Sequence, residues 1–207
     1  MIASPNPGNA FSKASLKKIP DVLIHEIIDG KPYYRKGYRD VLTGTKTVED
    51  ILGTSSLQAF IITYLIITIA RQLDEEQYTI LTNEAGLHLD KKNNLAGDIL
   101  IFENTLLPIG LINKKYTSVN PKICIEVDTN IEIGEYSESS YITLKTRKLL
   151  DFGAEKVIWF LTEPKKVMIA TSDTDWQIKD WDKDVEILDG IHCNVGKYLR
   201  EKGSEFA

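Results

Sequence analysis

Residues 121–130 read PKICIEVDTN. The run ICIEV has the character of a strand buried inside a protein, yet it carries Glu126, and Asp128 follows two positions later. Side chains alternate across a strand with period two. Ile123, Ile125 and Val127 are therefore expected on one face, and Cys124, Glu126 and Asp128 on the other. A carboxylate buried without a partner is very costly, so either the strand ends there or something compensates the charge. A divalent cation, which prefers oxygen ligands, is one such partner. The plainer alternative is an E-x-D at a solvated strand end.

A second acid points the same way. Asp98 heads the apolar run DILIF, just after Gly97. If the two strands are neighbours, Asp98 and Glu126 converge. Magnesium commonly takes one or two carboxylates, keeps several waters and borrows a phosphate oxygen from its substrate. Two acids and the Val127 carbonyl suit that demand. A cationic side chain is available from the following helix, where Lys145 and Lys148 lie one turn apart. Each signal has an ordinary reading too. An aspartate that opens a strand is commonly a turn residue, and paired lysines on an amphipathic helix commonly face solvent.

The rest of the chain supplies a frame for these residues. HEIIDGKPYY (25–34) has two β-prone runs around Asp29-Gly30, a dipeptide that favours a tight hairpin turn. Residues 37–55 look irregular, with a short helical turn at 47–52. A long helix is expected over 56–75, capped by Ser55 or Ser56. Strands follow around 78–89 (one, or two about a turn at 83–86), 98–102 and 122–127. ITLKTRKLLDF (142–152) has helical spacing, and Gly153 is placed to stop it. KVIWFL and KKVMIAT form a hairpin around Glu163-Pro164, WQIKDWD and EILDG suggest an edge hairpin, and a short helix is expected at 195–201. Residues 1–20 read as a flexible arm, and 21–207 as a single α/β domain with a mixed sheet.

Composition narrows the partners. The 207 residues carry a net charge of −5, so a general polyanion-binding surface is not evident. Nucleic-acid contact needs a local basic patch, for which Lys145, Arg147, Lys148 and the arm's Lys13, Lys17 and Lys18 are the candidates. Two cysteines, Cys124 and Cys193, are too few for a disulfide framework, and a reducing, cytoplasmic setting is expected. No secretory signal is visible. The most apolar run, AFIITYLIITIA, is too short to cross a bilayer. It suits the core and a symmetric interface between two copies equally well.

An Asp at a strand head, with a Glu on the next strand and a lysine beyond, resembles the PD-(D/E)XK nuclease superfamily. The chain looks most like its Uma-two branch of restriction-endonuclease-like proteins, over roughly residues 22–171. HEIIDGKPYY is similar to that branch's opening hairpin, SSLQAFIITYLIITIARQL to its first long helix, LAGDILIF to its metal-ligand strand, ICIEV to its V-E-V strand, and LKTRKLLDFGAEKVIWFL to its lysine helix and aromatic strand. The resemblance implies a restriction-endonuclease-like fold: a mixed central sheet flanked by helices, with a preceding β-hairpin. It implies hydrolysis of phosphodiester bonds in nucleic acid, DNA first, with Mg²⁺ or Mn²⁺, and pairing of two copies to cut two strands. Asp98 and Glu126 match the acidic metal ligands, with Val127 offering a carbonyl. Lys145 matches the branch's lysine, moved from strand to helix, and Glu26 matches the hairpin glutamate. Lys148 is a further phosphate contact. Two positions depart from the pattern: Asp128 stands where the superfamily has its usual lysine, as an extra ligand or a turn residue, and Gln58 stands where a histidine is frequent. A catalytically inactive member of the fold, acting as a binding or regulatory module, is the main competing reading. A two-carboxylate glycosidase and a domain without chemistry are the others.

Overall fold

Asp29 and Gly30 take φ of 53° and 73°, the positive values that a two-residue hairpin loop requires at both positions. They join β1 (Ile24–Ile28) to β2 (Lys31–Tyr34), as the dipeptide predicts. The structure, a computed structural model, describes residues 19–128 and 137–207. The expected flexible arm, with Lys13, Lys17 and Lys18, therefore lies almost wholly outside the described residues. After the hairpin come α1 (Tyr38–Thr43), α2 (Glu49–Leu52), α3 (Ser56–Ala70), β3 (Tyr78–Asp90), β4 (Asn93–Glu103) and β5 (Ile123–Val127). Then follow α4 (Glu138–Phe152), β6 (Lys156–Leu161), β7 (Lys166–Thr171), β8 (Gln177–Asp180), β9 (Val185–Leu188), β10 (Ile191–Cys193) and α5 (Val195–Glu201).

Eight strands form one sheet in the order β2-β1-β4-β5-β6-β7-β8, with β3 paired along β4. β5 and β6 are parallel, joined across α4, and the other named pairings are antiparallel. β4 and β5 are nearly wholly buried because helices cover both faces. Ile99, Ile101, Ile123, Ile125 and Val127 pack with Ile61, Leu65 and Ile69 of α3. Leu100, Phe102 and Cys124 pack with Tyr141, Ile142 and Leu149 of α4. The alternation expected for β5 is thus the one observed, and it puts Glu126 on the α4 side. α3 is apolar all round: Ile61, Leu65 and Ile69 face the core, while Phe60 and Ile67 stay exposed. Among the described residues no helix is long and apolar enough to cross a membrane.

Several expectations are corrected. Residues 38–43 are helical rather than irregular, set between Gly37 and Gly44, both left-handed. Residues 78–90 form one long strand, and Asn83 and Glu84 bulge out of it rather than closing a turn. The two C-terminal segments do not form a hairpin together: β8 joins the sheet edge beside β7, while β9 pairs with β10 in a separate ribbon.

Candidate active site

Strand parity and helix capping bring the site together. On β4, Asp98 shares the parity of Leu100 and Phe102. On β5, Glu126 shares that of Cys124, and on β1, Glu26 shares that of Ile28. All four apolar markers lie in the cluster beneath α4. β4 and β5 are hydrogen-bonded neighbours, paired from Ile99–Ile125 to Ile101–Ile123. Ser137 caps α4 by accepting from Ser140 N, and Gly153, at φ 115°, ends it. Between those ends Lys145 points inward and is only 2% exposed.

Lys145 Nζ lies 2.7 Å from Glu26 Oε1 and 3.0 Å from Glu126 Oε1. The rings of Tyr141 and Trp159 flank it at 6.0 and 5.5 Å, close enough for cation–π attraction. Trp159 is fixed in turn by donating Nε1–H to Thr146 Oγ1 at 2.9 Å. The two glutamates are not equivalent. Glu26 accepts from Ala96 N at 2.9 Å and from Tyr141 OH at 2.6 Å, besides its lysine. Glu126 Oε1 is buried and has no aligned hydrogen-bond donor, although the lysine is near.

The ionisation of the cluster follows. Burial pushes every carboxyl up. At Glu26 the charge of Lys145, the neighbouring His25 and two hydrogen bonds outweigh that, and its carboxyl sits below the usual range. At Glu126 burial prevails over Lys145, and the Asp98 and Glu26 charges add to it, so its carboxyl lies well above the usual range. Asp98, 8% exposed, is pushed up to about 6, again chiefly by burial and against the hydrogen bond that Val127 N donates to its Oδ2 at 2.8 Å. For Lys145, burial opposes the charge, but Glu126 and Glu26 more than offset it and keep it an ammonium. Fully ionised, Glu26, Glu126 and Asp98 against Lys145 leave −2.

A divalent cation would close that account, and the donors fit it. Asp98 and Glu126 line one cavity of about 10 Å³, room for about one water-sized sphere. Their oxygens are hard ligands, and Glu126 Oε1 lacks an aligned partner. Among the described residues no group of three or more His, Cys, Asp or Glu is arranged to hold a metal, so the protein would supply two carboxylates, as Mg²⁺ commonly accepts. The Val127 carbonyl already accepts from Gln58 Nε2 at 2.6 Å, which leaves its second lone pair.

The other candidates lie elsewhere or do other work. Asp128 turns out of the strand with φ 58°. Its carboxylate accepts from Thr162 N and Oγ1 at the end of β6, both at 2.7 Å, and it lines the edge of the cavity. Lys148 sits on Asp29 at the hairpin turn, 2.5 Å away, rather than in the cavity. Lys145, being buried, contributes nothing to a surface patch, while Arg147 is exposed. Cys124 and Cys193 are free, buried thiols.

Residues that sequence reasoning missed complete the surroundings. His25 and Glu84 also line the cavity, and His25 Nδ1 is buried without a partner. Burial depresses the His25 pKa, against the neighbouring Glu26 charge. Tyr141, which orients Glu26, lies outside the helix expected over 142–152 and inside the one observed, Glu138–Phe152. Glu84 was hidden in what looked like a turn.

No family model matches this sequence, and no curated protein does. Among solved structures, the chain is similar to a protein from Anabaena variabilis ATCC 29413 described as a "putative nuclease belonging to DUF820". The TM-score is 0.61 at 12% identity, covering 84% of this chain and 89% of that one. The two share a fold, of the class that the sequence resemblance implies.

Proposed function

We propose that this chain is a metal-dependent nuclease hydrolysing phosphodiester bonds in nucleic acid, with DNA the first substrate to test. The observation that carries this reading is the meeting of Asp98, Glu126 and Lys145 around one small buried cavity. Their carboxylates suit a cation, and the fold is shared with a chain described as a "putative nuclease".

Asp98 and Glu126 would hold one Mg²⁺ or Mn²⁺, with the Val127 carbonyl beside them. Such an ion polarises a phosphoryl oxygen and lowers the pKa of a bound water. Lys145 is held as a cation, which suits it to neutralising developing phosphoryl charge or orienting a water, and unsuits it as a base. Glu26 positions Lys145: its three hydrogen-bonding partners leave it committed to the lysine. Asp98 uses one oxygen on Val127 N, which fixes its carboxylate relative to the strand that bears Glu126.

The test is a cleavage assay on single- and double-stranded DNA and RNA with Mg²⁺ or Mn²⁺. Glu126→Gln should lower the rate by about a thousandfold, the upper range for losing one electrostatic group. Cleavage that survives the substitution excludes this site. The tightness of the cavity favours one alternative, a nuclease-fold module that binds nucleic acid without cutting it. Binding with no cleavage under any of these conditions selects that alternative.

A further inference from the structure

A cleft of about 650 Å³ opens beside the small cavity and shares Glu84 and Asp128 with it. Arg35 stands on its wall in an unusual state. Its side chain is only 19% exposed. Its Nε is buried and without a hydrogen-bond partner. Its Nη1 and Nη2 donate to one oxygen, Glu84 Oε2, at 3.3 and 3.4 Å. Charge-assisted bonds of this kind normally run to about 2.7–2.9 Å. Among the described residues, a guanidinium with five donors thus has a single, loosely held acceptor side chain. By contrast Lys46, also on the wall, is tied to Asp40 at 2.9 Å.

The acceptor is itself held in an uncommon way. Asn83 and Glu84 have φ of 66° and 53°, in the left-handed region that non-glycine residues seldom enter. They bulge out of β3 where its pairing with β4 slips between Thr82–Ile99 and Ala85–Gly97. Bulges of this kind re-aim a side chain, and this one turns Glu84 into the passage between cleft and cavity.

We propose that Arg35 grips a backbone phosphate of the nucleic acid in this cleft, and that the Glu84 carboxylate stands in for that phosphate when the cleft is free. The assignment rests on the nucleic-acid reading above. A guanidinium matches phosphate bidentately, which a single carboxylate oxygen at long range does not. Exchange of partners also frees Arg35 from an acid that repels the incoming backbone. The two members of the pair therefore act in opposite directions on binding, whereas a merely structural ion pair would lose on either side.

The experiment is fluorescence anisotropy with a short fluorescein-labelled single-stranded oligodeoxynucleotide, in Ca²⁺ and again in EDTA, over a salt series. Arg35→Ala should weaken binding about tenfold and reduce the salt slope by about 0.7, the share of one phosphate contact on a single strand. Glu84→Gln, which keeps the side chain's shape, should tighten binding a few-fold. Unchanged affinity and slope in Arg35→Ala overturn the assignment and leave the nucleic-acid reading standing. If Arg35→Ala does not fold, weaker binding by Glu84→Gln overturns it instead. No binding by the wild-type chain in either buffer overturns both.

Discussion

α3 and α4 are each fifteen residues long, each starts at a serine cap, and they lie against opposite faces of the same strands. α3 buries Ile61, Leu65 and Ile69 on a dry apolar face. α4 occupies the equivalent place on the other face but buries Lys145 among carboxylates, flanked by the rings of Tyr141 and Trp159. Similar lengths and similar caps thus serve two ends. The α3 face supplies stability through apolar burial. The α4 face gives some of it up, because desolvated charges are costly unless every one is paired. Glu26 and Lys145 are paired, whereas Glu126 and Asp98 are not fully compensated, and that imbalance is what an ion would relieve.

Substitutions on each face should therefore differ in sign and in pH dependence. The largest loss is expected at Lys145→Ala, which leaves Glu26 buried without its cation, and should cost about 3–5 kcal/mol in a urea titration. Leu65→Ala on the dry face should cost about 2–5 kcal/mol by leaving a cavity, with little dependence on pH. A neutral Lys145→Ala would erase the contrast between the faces.

Asp98→Asn should go the other way. The Asp98 carboxyl is raised from 3.8 to about 6, so between those values the folded chain keeps a proton that the unfolded chain has released. Wild-type stability therefore falls as pH rises through that window. Asn can still accept from Val127 N without the charge, and should gain up to roughly 3 kcal/mol above about pH 6, the gain vanishing near pH 4. Chemical denaturation at the two pH values measures it, and a loss above pH 6 would make Asp98 a structural anchor. The smallest effect is the control for the comparison. Ser55→Ala and Ser137→Ala remove equivalent caps and should each cost about 1 kcal/mol. Unequal costs would mean that the two helices are held differently at their starts.

The apolar strand face and the local turns were legible early, because local rules act there. Period-two alternation placed Ile123, Ile125 and Val127, Asp29-Gly30 set its own turn, and Gly153 stopped α4. The charged face was legible only in part. Asp98, Glu126 and Lys145 stood out as polar residues in apolar surroundings, and β5 parity chose the face of Glu126. What sequence could not show is which partner each would take. Glu26 and Glu126 compete for one lysine, and the backbone N–H of Ala96 with the hydroxyl of Tyr141 settles Lys145 more firmly on Glu26. Asp128 left the alternation through a positive φ, which parity does not anticipate. Asn83-Glu84 resembles a turn because bulges and turns draw on the same left-handed residues. The pairing of β8 with β7 rather than β9 is a long-range choice with no local mark.

The most direct test of the central claim, that Asp98 and Glu126 are carboxyls placed for a cation, is calorimetric titration with Mn²⁺ in buffers of differing ionisation enthalpy. Binding should be one ion per chain and should expel protons from the raised carboxyls, more at about pH 6 than at about pH 8. It should disappear in Glu126→Gln. No binding by the wild-type chain, or equal binding by Glu126→Gln without proton release, would contradict the account.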